Sequence, residues 1–292
     1  MRLQAYIDAG RTPPSLDEVV RRVHEISTLP HVAIQVMKVA EDPHSGAADL
    51  KDILENDPSL SARVLRCVNS SAFATRERVN NLQQAIAYLG LKQIRNLAMT
   101  ASVADLFKKD EKIGTYRRTD LWRHLVSVGI CARLIAMRRR IDEFEDAFLA
   151  GLLHDLGIIL EDQHVHPHFR MIIEALDKSK TLGEVERAHL GFDHTVLGGR
   201  VADAWGFPSP ARAAVRHHHV SSNCRDGDKA VVYCVEVANL ICTAKGYSSV
   251  GMKLVRVSQP ALSALSLARD DITTLAEDLD AAIAESADLY QL

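Results

Sequence analysis

The sequence predicts an all-α protein arranged as a two-part helical bundle, and three observations lead there. Aromatic residues are only 5% of the 292 positions while alanine and leucine abound, a composition that lets helix axes approach closely. Apolar residues recur at helical spacing through most of the chain. Proline and glycine punctuate it at Leu29-Pro30, Asp42-Pro43, Asp57-Pro58 and Gly90, at intervals that suit short helices. At 32.2 kDa, with 47% hydrophobic and 25% charged residues, the chain is globular in composition and long enough for one large or two modest cores.

The elements follow in order. Ser15 with Glu18 three residues on has the spacing of a capping box, opening a helix that stops before Leu29-Pro30. A second helix runs from His31 to Ala40, a third from Ala47 to Glu55, and a fourth carries Leu60, Val64, Leu65 and Val68 before turning at Asn69-Ser70-Ser71. Leu82 to Leu106 reads as two helices divided at Gly90. The polar run Lys108 to Lys112 is a hinge, so residues 19–110 form an N-terminal helical bundle after an extension of residues 1–18. Residues 111–250 form a second helical subdomain and 251–292 a helical tail.

In the second part, Leu121, Leu125, Val128, Ala132 and Ile135 line one helix. Leu149, Leu152, Leu153, Leu156 and Ile159 surround another, predicted to run unbroken from Ala150 to Ile159. The tract His164 to Phe169 reads as a surface loop. Leu182 to Leu190 is helical and ends at Gly191, Asp193 caps the next helix, and Lys229 to Ala244 reads as a core helix, with a strand as the alternative.

Charge and composition exclude several classes. A net charge of −3 gives no basic footprint for nucleic acid, and Arg138 to Arg140 reads as a solvated helix face. No apolar run approaches the ~18 residues of a membrane span. The N-terminus lacks the apolar core of a signal peptide. Five cysteines, an odd number without CxxC spacing, suit reduced thiols in a cytoplasmic protein.

The chemistry centres on His154 and Asp155, set inside the apolar run Ala150 to Ile159. Buried polar groups need partners, and hydrogen bonds or a metal ion would both serve. His124, His194 and the triplet His217, His218, His219 also lie in or beside helical segments. Imidazole and carboxylate together suit iron, manganese, zinc or nickel. Helical neighbours are ~100° apart, so at most two of the triplet can serve one site.

From Leu29 to Gly246 the chain resembles the HDOD family of bacterial signalling domains. The resemblance is carried by LPHVAIQVMKVAEDP, NDPSLSARVLRCVNSSAF and VNNLQQAIAYLGLKQIRNLAM, then by LWRH, FLAGLLHDLG, GFDHTVLGGRVADAWGFP, AVRHHH and VEVANLI. HDOD domains are similar to HD and HD-GYP phosphohydrolases, which implies an HD-like second subdomain. The implied metal set is His124, His154, Asp155, His194, His218 and His219, with His217 and His218 as the alternative adjacent pair. Asn239 stands where the pattern places a final Asp, and Ile158 follows Gly157 where the catalytic pattern has Lys. No GYP motif follows the triplet. The resemblance therefore implies a non-catalytic module that binds signalling proteins and keeps a degenerate metal site. The alternative is a divalent-metal phosphodiesterase acting on nucleotides or cyclic dinucleotides.

Overall fold

In the computed structural model, which describes residues 12–26, 31–69, 78–177, 179–250 and 258–291, helices follow one another with almost no strand. The expected breaks at Leu29-Pro30 and Ser70-Ser71 lie outside the described residues, as does the reading of the first residues as free of a leader. Helix α1 (Leu16–Ile26) opens on the expected box, the Glu18 amide donating to Ser15 Oγ at 3.3 Å and the Ser15 amide to Glu18 Oε2 at 2.8 Å. Helices α2 (His31–Glu41), α3 (Ala47–Glu55), α4 (Pro58–Val68), α5 (Leu82–Leu89) and α6 (Leu91–Ala104) form one packed group around α6. The Asn69 side chain holds Val79 by both backbone groups at 2.8 Å, tying the end of α4 to the approach of α5.

A two-residue hairpin, Lys112–Ile113 paired antiparallel with Tyr116–Arg117, occupies the polar hinge. Then come α7 (Arg118–Arg138), α8 (Phe144–Leu153), α9 (Leu156–His164), α10 (His166–Ala175), α11 (Leu182–Leu190), α12 (His194–Ala204), α13 (Ser209–His217) and α14 (Lys229–Ala244). Lys229 to Ala244 is thus helix, not strand. Helices α15 (Gln259–Ala264) and α16 (Arg269–Glu285) complete the tail. The tail packs on α7 and α14. The Trp122 indole donates to the Tyr290 carbonyl at 3.2 Å, and Tyr290 Oη meets Ser127 Oγ at 3.0 Å. Arg138 and Arg139 pair with Asp278 and Asp271 of α16, so this basic run binds the tail instead of facing solvent alone.

Two expectations are corrected. The run Ala150 to Ile159 is not one helix: α8 ends at Leu153 and α9 begins at Leu156, with Asp155 at φ −101°, ψ 18° between them. The tract His164 to Phe169 is not a surface loop either. Pro167 fits the first turn of α10, where its missing N–H costs nothing, and Val165, His168 and Phe169 are buried.

Helix α6 is buried on nearly all sides and meets α8 through a polar seam. Arg95, wholly buried, pairs with Glu41 of α2 and donates to Asp146 Oδ1 of α8 at 2.8 Å. Lys92 reaches Asp146 Oδ2 at 2.7 Å, and the Asn96 amide donates to Glu145 Oε2 at 2.7 Å. Helix α1 packs on α9 and α12, where Asp17 meets Arg200 at 2.8 Å. The five cysteines are buried free thiols, and burial pushes Cys67 and Cys234 up to about 12. Among the described residues no helix is long and apolar enough to cross a membrane.

Glycine permits the close crossing that builds the second half. A Cβ on Gly157 would stand 2.0 Å from the His194 carbonyl oxygen, which presses the first turn of α9 against the start of α12. Gly157→Ala is expected to destabilise the fold by about 1–3 kcal/mol or more, read as a lower denaturant midpoint with unchanged slope. Gly227→Ala, whose Cβ meets nothing within 4 Å, is the matched control and should leave the midpoint nearly in place.

Candidate metal centre

Four structural contexts deliver the cluster. His124 projects from the middle of α7, and His154 and Asp155 occupy the break between α8 and α9. His194 is the first residue of α12, and His218 caps the end of α13 with His219 beside it. The break matters because adjacent residues inside a helix point ~100° apart. Leaving helical geometry at Asp155 lets its carboxylate serve the same centre as His154, and that side chain makes no cap bond to α9. Asp193 does cap α12, accepting from the Thr195 and Val196 amides at 3.0 and 3.1 Å.

The donors converge on Asp155. Its Oδ1 lies 3.2 Å from His218 Nε2 and 3.6 Å from His194 Nε2. Its Oδ2 lies 3.3 Å from His154 Nε2 and 3.6 Å from His124 Nε2. His219 Nε2 approaches His194 Nε2 at 3.0 Å. Two adjoining donor sets share the carboxylate: His124, His154 and Asp155, and Asp155, His194, His218 and His219. All are buried except His219, which is exposed as a residue while its Nε2 faces inward. The structure thus takes His218 and His219 from the triplet and leaves His217 half-buried outside the cluster. Asn239 is buried on α14 with its amide oxygen accepting the Thr243 hydroxyl at 3.3 Å. No hydrogen bond among the described residues ties it to the imidazoles.

The outer nitrogens fix the tautomers. Nδ1 of His124 donates to the Tyr247 carbonyl at 2.8 Å, that of His154 to Gly151 at 2.7 Å and that of His218 to Ala214 at 2.9 Å. That of His194 donates to Glu186 Oε2 at 2.7 Å. A neutral imidazole that donates through Nδ1 presents a lone pair at Nε2. The Nε2 lone pairs of His124, His154, His194 and His218 and the oxygens of Asp155 therefore face one another across 3.2–3.6 Å with no donor between them in the neutral forms. Asp155 Oδ1 and His218 Nε2, although neighbours, make no aligned hydrogen bond, and among the described residues neither has another hydrogen-bond partner. Such a set needs positive charge at its centre, and outer-nitrogen bonds of this kind orient imidazoles on metal ions. The residues fit a divalent first-row ion.

The proton affinities agree with the crowding. Burial alone would raise Asp155, but the imidazoles of His154, His124 and His218 beside it hold its carboxyl well below the usual range. Burial pushes His218 down, partly countered by Asp155, and pushes His219 well down with help from His218 and His194. At His194 burial opposes the charged ring, yet Glu186, Asp155 and Asp193 outweigh it and lift the ring to about 9.

Two carboxyls behind the cluster were missed by residue-type reasoning. Glu186 and Glu161 are both fully buried. Among the described residues no amide or hydroxyl reaches either oxygen of Glu161; the group it meets is the Glu186 carboxyl. Burial, then Glu186, then Asp193 raise Glu161 well above the usual range. The signal lay in the stripe: Glu186 falls four residues after Leu182 and four before Leu190, on the apolar face.

The HDOD domain pattern matches residues 26–221. A protein of Treponema pallidum of undescribed function is 21% identical over 225 residues, which are 76% of this chain but 43% of that protein; the chain spans less than half of this relative. Three solved structures share the fold. An HDOD domain protein of unknown function from Geobacter sulfurreducens is 24% identical, with a TM-score of 0.76 over 93% of this chain and 96% of its own. A protein provisionally called a signal transduction protein, from Marinobacter aquaeolei, is 23% identical, with 0.75 over 96% and 61%. One provisionally called a phosphohydrolase, from Shewanella amazonensis, is 22% identical, with 0.72 over 94% and 97%.

The raised Glu161 carboxyl has a consequence for stability. The unfolded chain releases this proton near 4.5 while the folded chain keeps it to higher pH. Above the unfolded value the folded state binds more protons, so this residue's share of stability falls as pH rises through the window, by at most about 1.4 kcal/mol per pH unit. Glu161→Gln removes the titration. Its melting temperature relative to the unsubstituted protein is expected to climb as the pH rises above the unfolded value of 4.5; a pH-independent difference would contradict the buried protonated acid.

Proposed function

Since this chain belongs to the HDOD domain family, we propose that it is a signal-transduction module that binds partner proteins. Its second half holds a divalent ion in an HD-type centre that serves structure or regulation rather than hydrolysis. The observation that carries this reading is the closure of the cluster: His124, His154, Asp155, His194 and His218 are each no more than 2% exposed. A hydrolytic centre keeps a coordination position open to water and substrate. Here the donors that would hold the ion are shut among helices. The set His194, His218, His219 and Asp155 offers four ligands, and the set His124, His154 and Asp155 offers three. Asn239, engaged with Thr243, does not supply a further ligand.

When bound, a divalent ion would neutralise the facing lone pairs and could acidify a bound water. The chain's own residues do the rest. The backbone carbonyls of Tyr247, Gly151 and Ala214 aim three imidazoles, Glu186 aims the fourth, and all four rings are buried. The electrostatic helper for phosphate is missing, because Ile158 rather than a lysine follows Gly157.

A metal-dependent phosphodiesterase is the second reading, favoured by one observation: His219 is exposed and gives the four-ligand set an edge toward solvent. Metal analysis of purified protein is expected to find about one divalent ion per chain, lost in Asp155→Ala. The loaded protein is expected to leave cyclic dinucleotides and a chromogenic phosphodiester intact. Turnover that disappears in Asp155→Ala would establish the second reading, and protein that takes up no iron, manganese, zinc or nickel would remove both metal readings.

A further inference from the structure

We propose that Glu186 is a positioning residue for the metal centre and that Glu161 acts through it. Glu186 Oε2 orients His194 while Glu161 donates the hydrogen bond that holds the other Glu186 oxygen. The inference rests on the reading of the cluster as an ion site.

His194 differs from its companions in what stands behind it. The other three anchored rings donate to neutral backbone carbonyls, those of Tyr247, Gly151 and Ala214. His194 alone donates to a carboxylate, and twice: Nδ1 reaches Glu186 Oε2 at 2.7 Å and the backbone amide reaches the same oxygen at 3.0 Å. The two bonds fix the ring and the start of α12 together. A carboxylate behind an imidazole also raises the electron density at the opposite nitrogen, making Nε2 the better ligand. That marks the set of Asp155, His194, His218 and His219 as the tighter of the two.

Glu186 Oε2 accepts both N–H groups of His194, and the carboxyl that meets Glu186 from the other side is Glu161. Both side chains are fully buried, and the groups that act on Glu161 are acids, Glu186 and Asp193. Asp193 is already engaged by Arg187, Thr195 and the start of α12. Two adjacent buried carboxyls with no cation between them share one proton. It belongs to Glu161, because Glu186 is the one accepting two N–H bonds from His194. The pair then carries a single negative charge, directed at His194. Glutamine at 161 keeps a donor toward Glu186, whereas glutamine at 186 loses the charge.

The test uses the full chain with Co(II) as the probe, measuring affinity by equilibrium dialysis and coordination by the visible absorption spectrum. Circular dichroism confirms that each variant is folded. Glu186→Gln is expected to weaken Co(II) binding by roughly 10–100-fold and to shift the spectrum. Glu161→Gln should retain the affinity and spectrum of the unsubstituted protein, and Glu161→Ala should fall between. Equal affinity and an identical spectrum in Glu186→Gln would overturn the proposal. Should the unsubstituted protein take up no Co(II), the ion-site reading fails by itself. The carboxyl pair is then judged without metal: the infrared carbonyl band of a protonated acid should be present and should vanish in Glu161→Gln, and its absence from the unsubstituted protein overturns the pair.

Discussion

The second half of this molecule is organised around imidazole lone pairs that face one buried carboxylate. The Nε2 atoms of His124, His154, His194 and His218 meet the oxygens of Asp155 within 3.2–3.6 Å, while the outer nitrogens of these four rings are committed to backbone carbonyls or to Glu186. In a medium of low dielectric such a set is costly unless positive charge sits among it, since Asp155 and the four anchored imidazoles, when neutral, all offer electrons toward one another. Placing the acid at the centre and the imidazoles around it confines the negative charge. The outer hydrogen bonds prevent the rings from turning to relieve the crowding.

Helix ends make the convergence possible. His154 and Asp155 stand at the junction of α8 and α9, His194 begins α12, and His218 closes α13. At the junction of α8 and α9 the chain departs from the ~100° step between neighbours, so His154 and Asp155 can address one point. The interior of α7 contributes only His124. Gly157 completes the arrangement by allowing α9 and α12 to approach until a methyl group would collide with the His194 carbonyl. The same contact fixes where the His194 ring begins.

Much of this was legible in the sequence. The helical class, the capping box at Ser15, the break at Gly90 and the cap at Asp193 each follow from local residue chemistry, and each is present. The histidines that gather around Asp155 were visible as polar residues misplaced in apolar stripes. The interruption between α8 and α9 was not, because an apolar run broken only by His154 and Asp155 holds no proline and keeps helical spacing on both sides of them. His164 to Phe169 misled for the opposite reason: a proline normally marks a turn, yet here it occupies the first turn of α10. Glu161 and Glu186 escaped because a single glutamate in a helix is ordinarily solvated. Their stripe position shows burial, but not that the two meet.

Helix α8 connects the cluster to the rest of the chain. Its first turn carries Glu145 and Asp146, which bond to Asn96, Lys92 and the buried Arg95 of α6, and its last residue precedes His154. Ten residues of helix span about 15 Å, a rigid distance over which neither end can shift independently. The polar seam is directional, so it sets the rotation of α8 about its axis, which apolar packing alone leaves loosely determined. That rotation decides where the imidazole and carboxylate at the far end point. The helices before the hairpin therefore do more than cover the second half: through Arg95 and Asp146 they help set the register in which the donors of the centre meet.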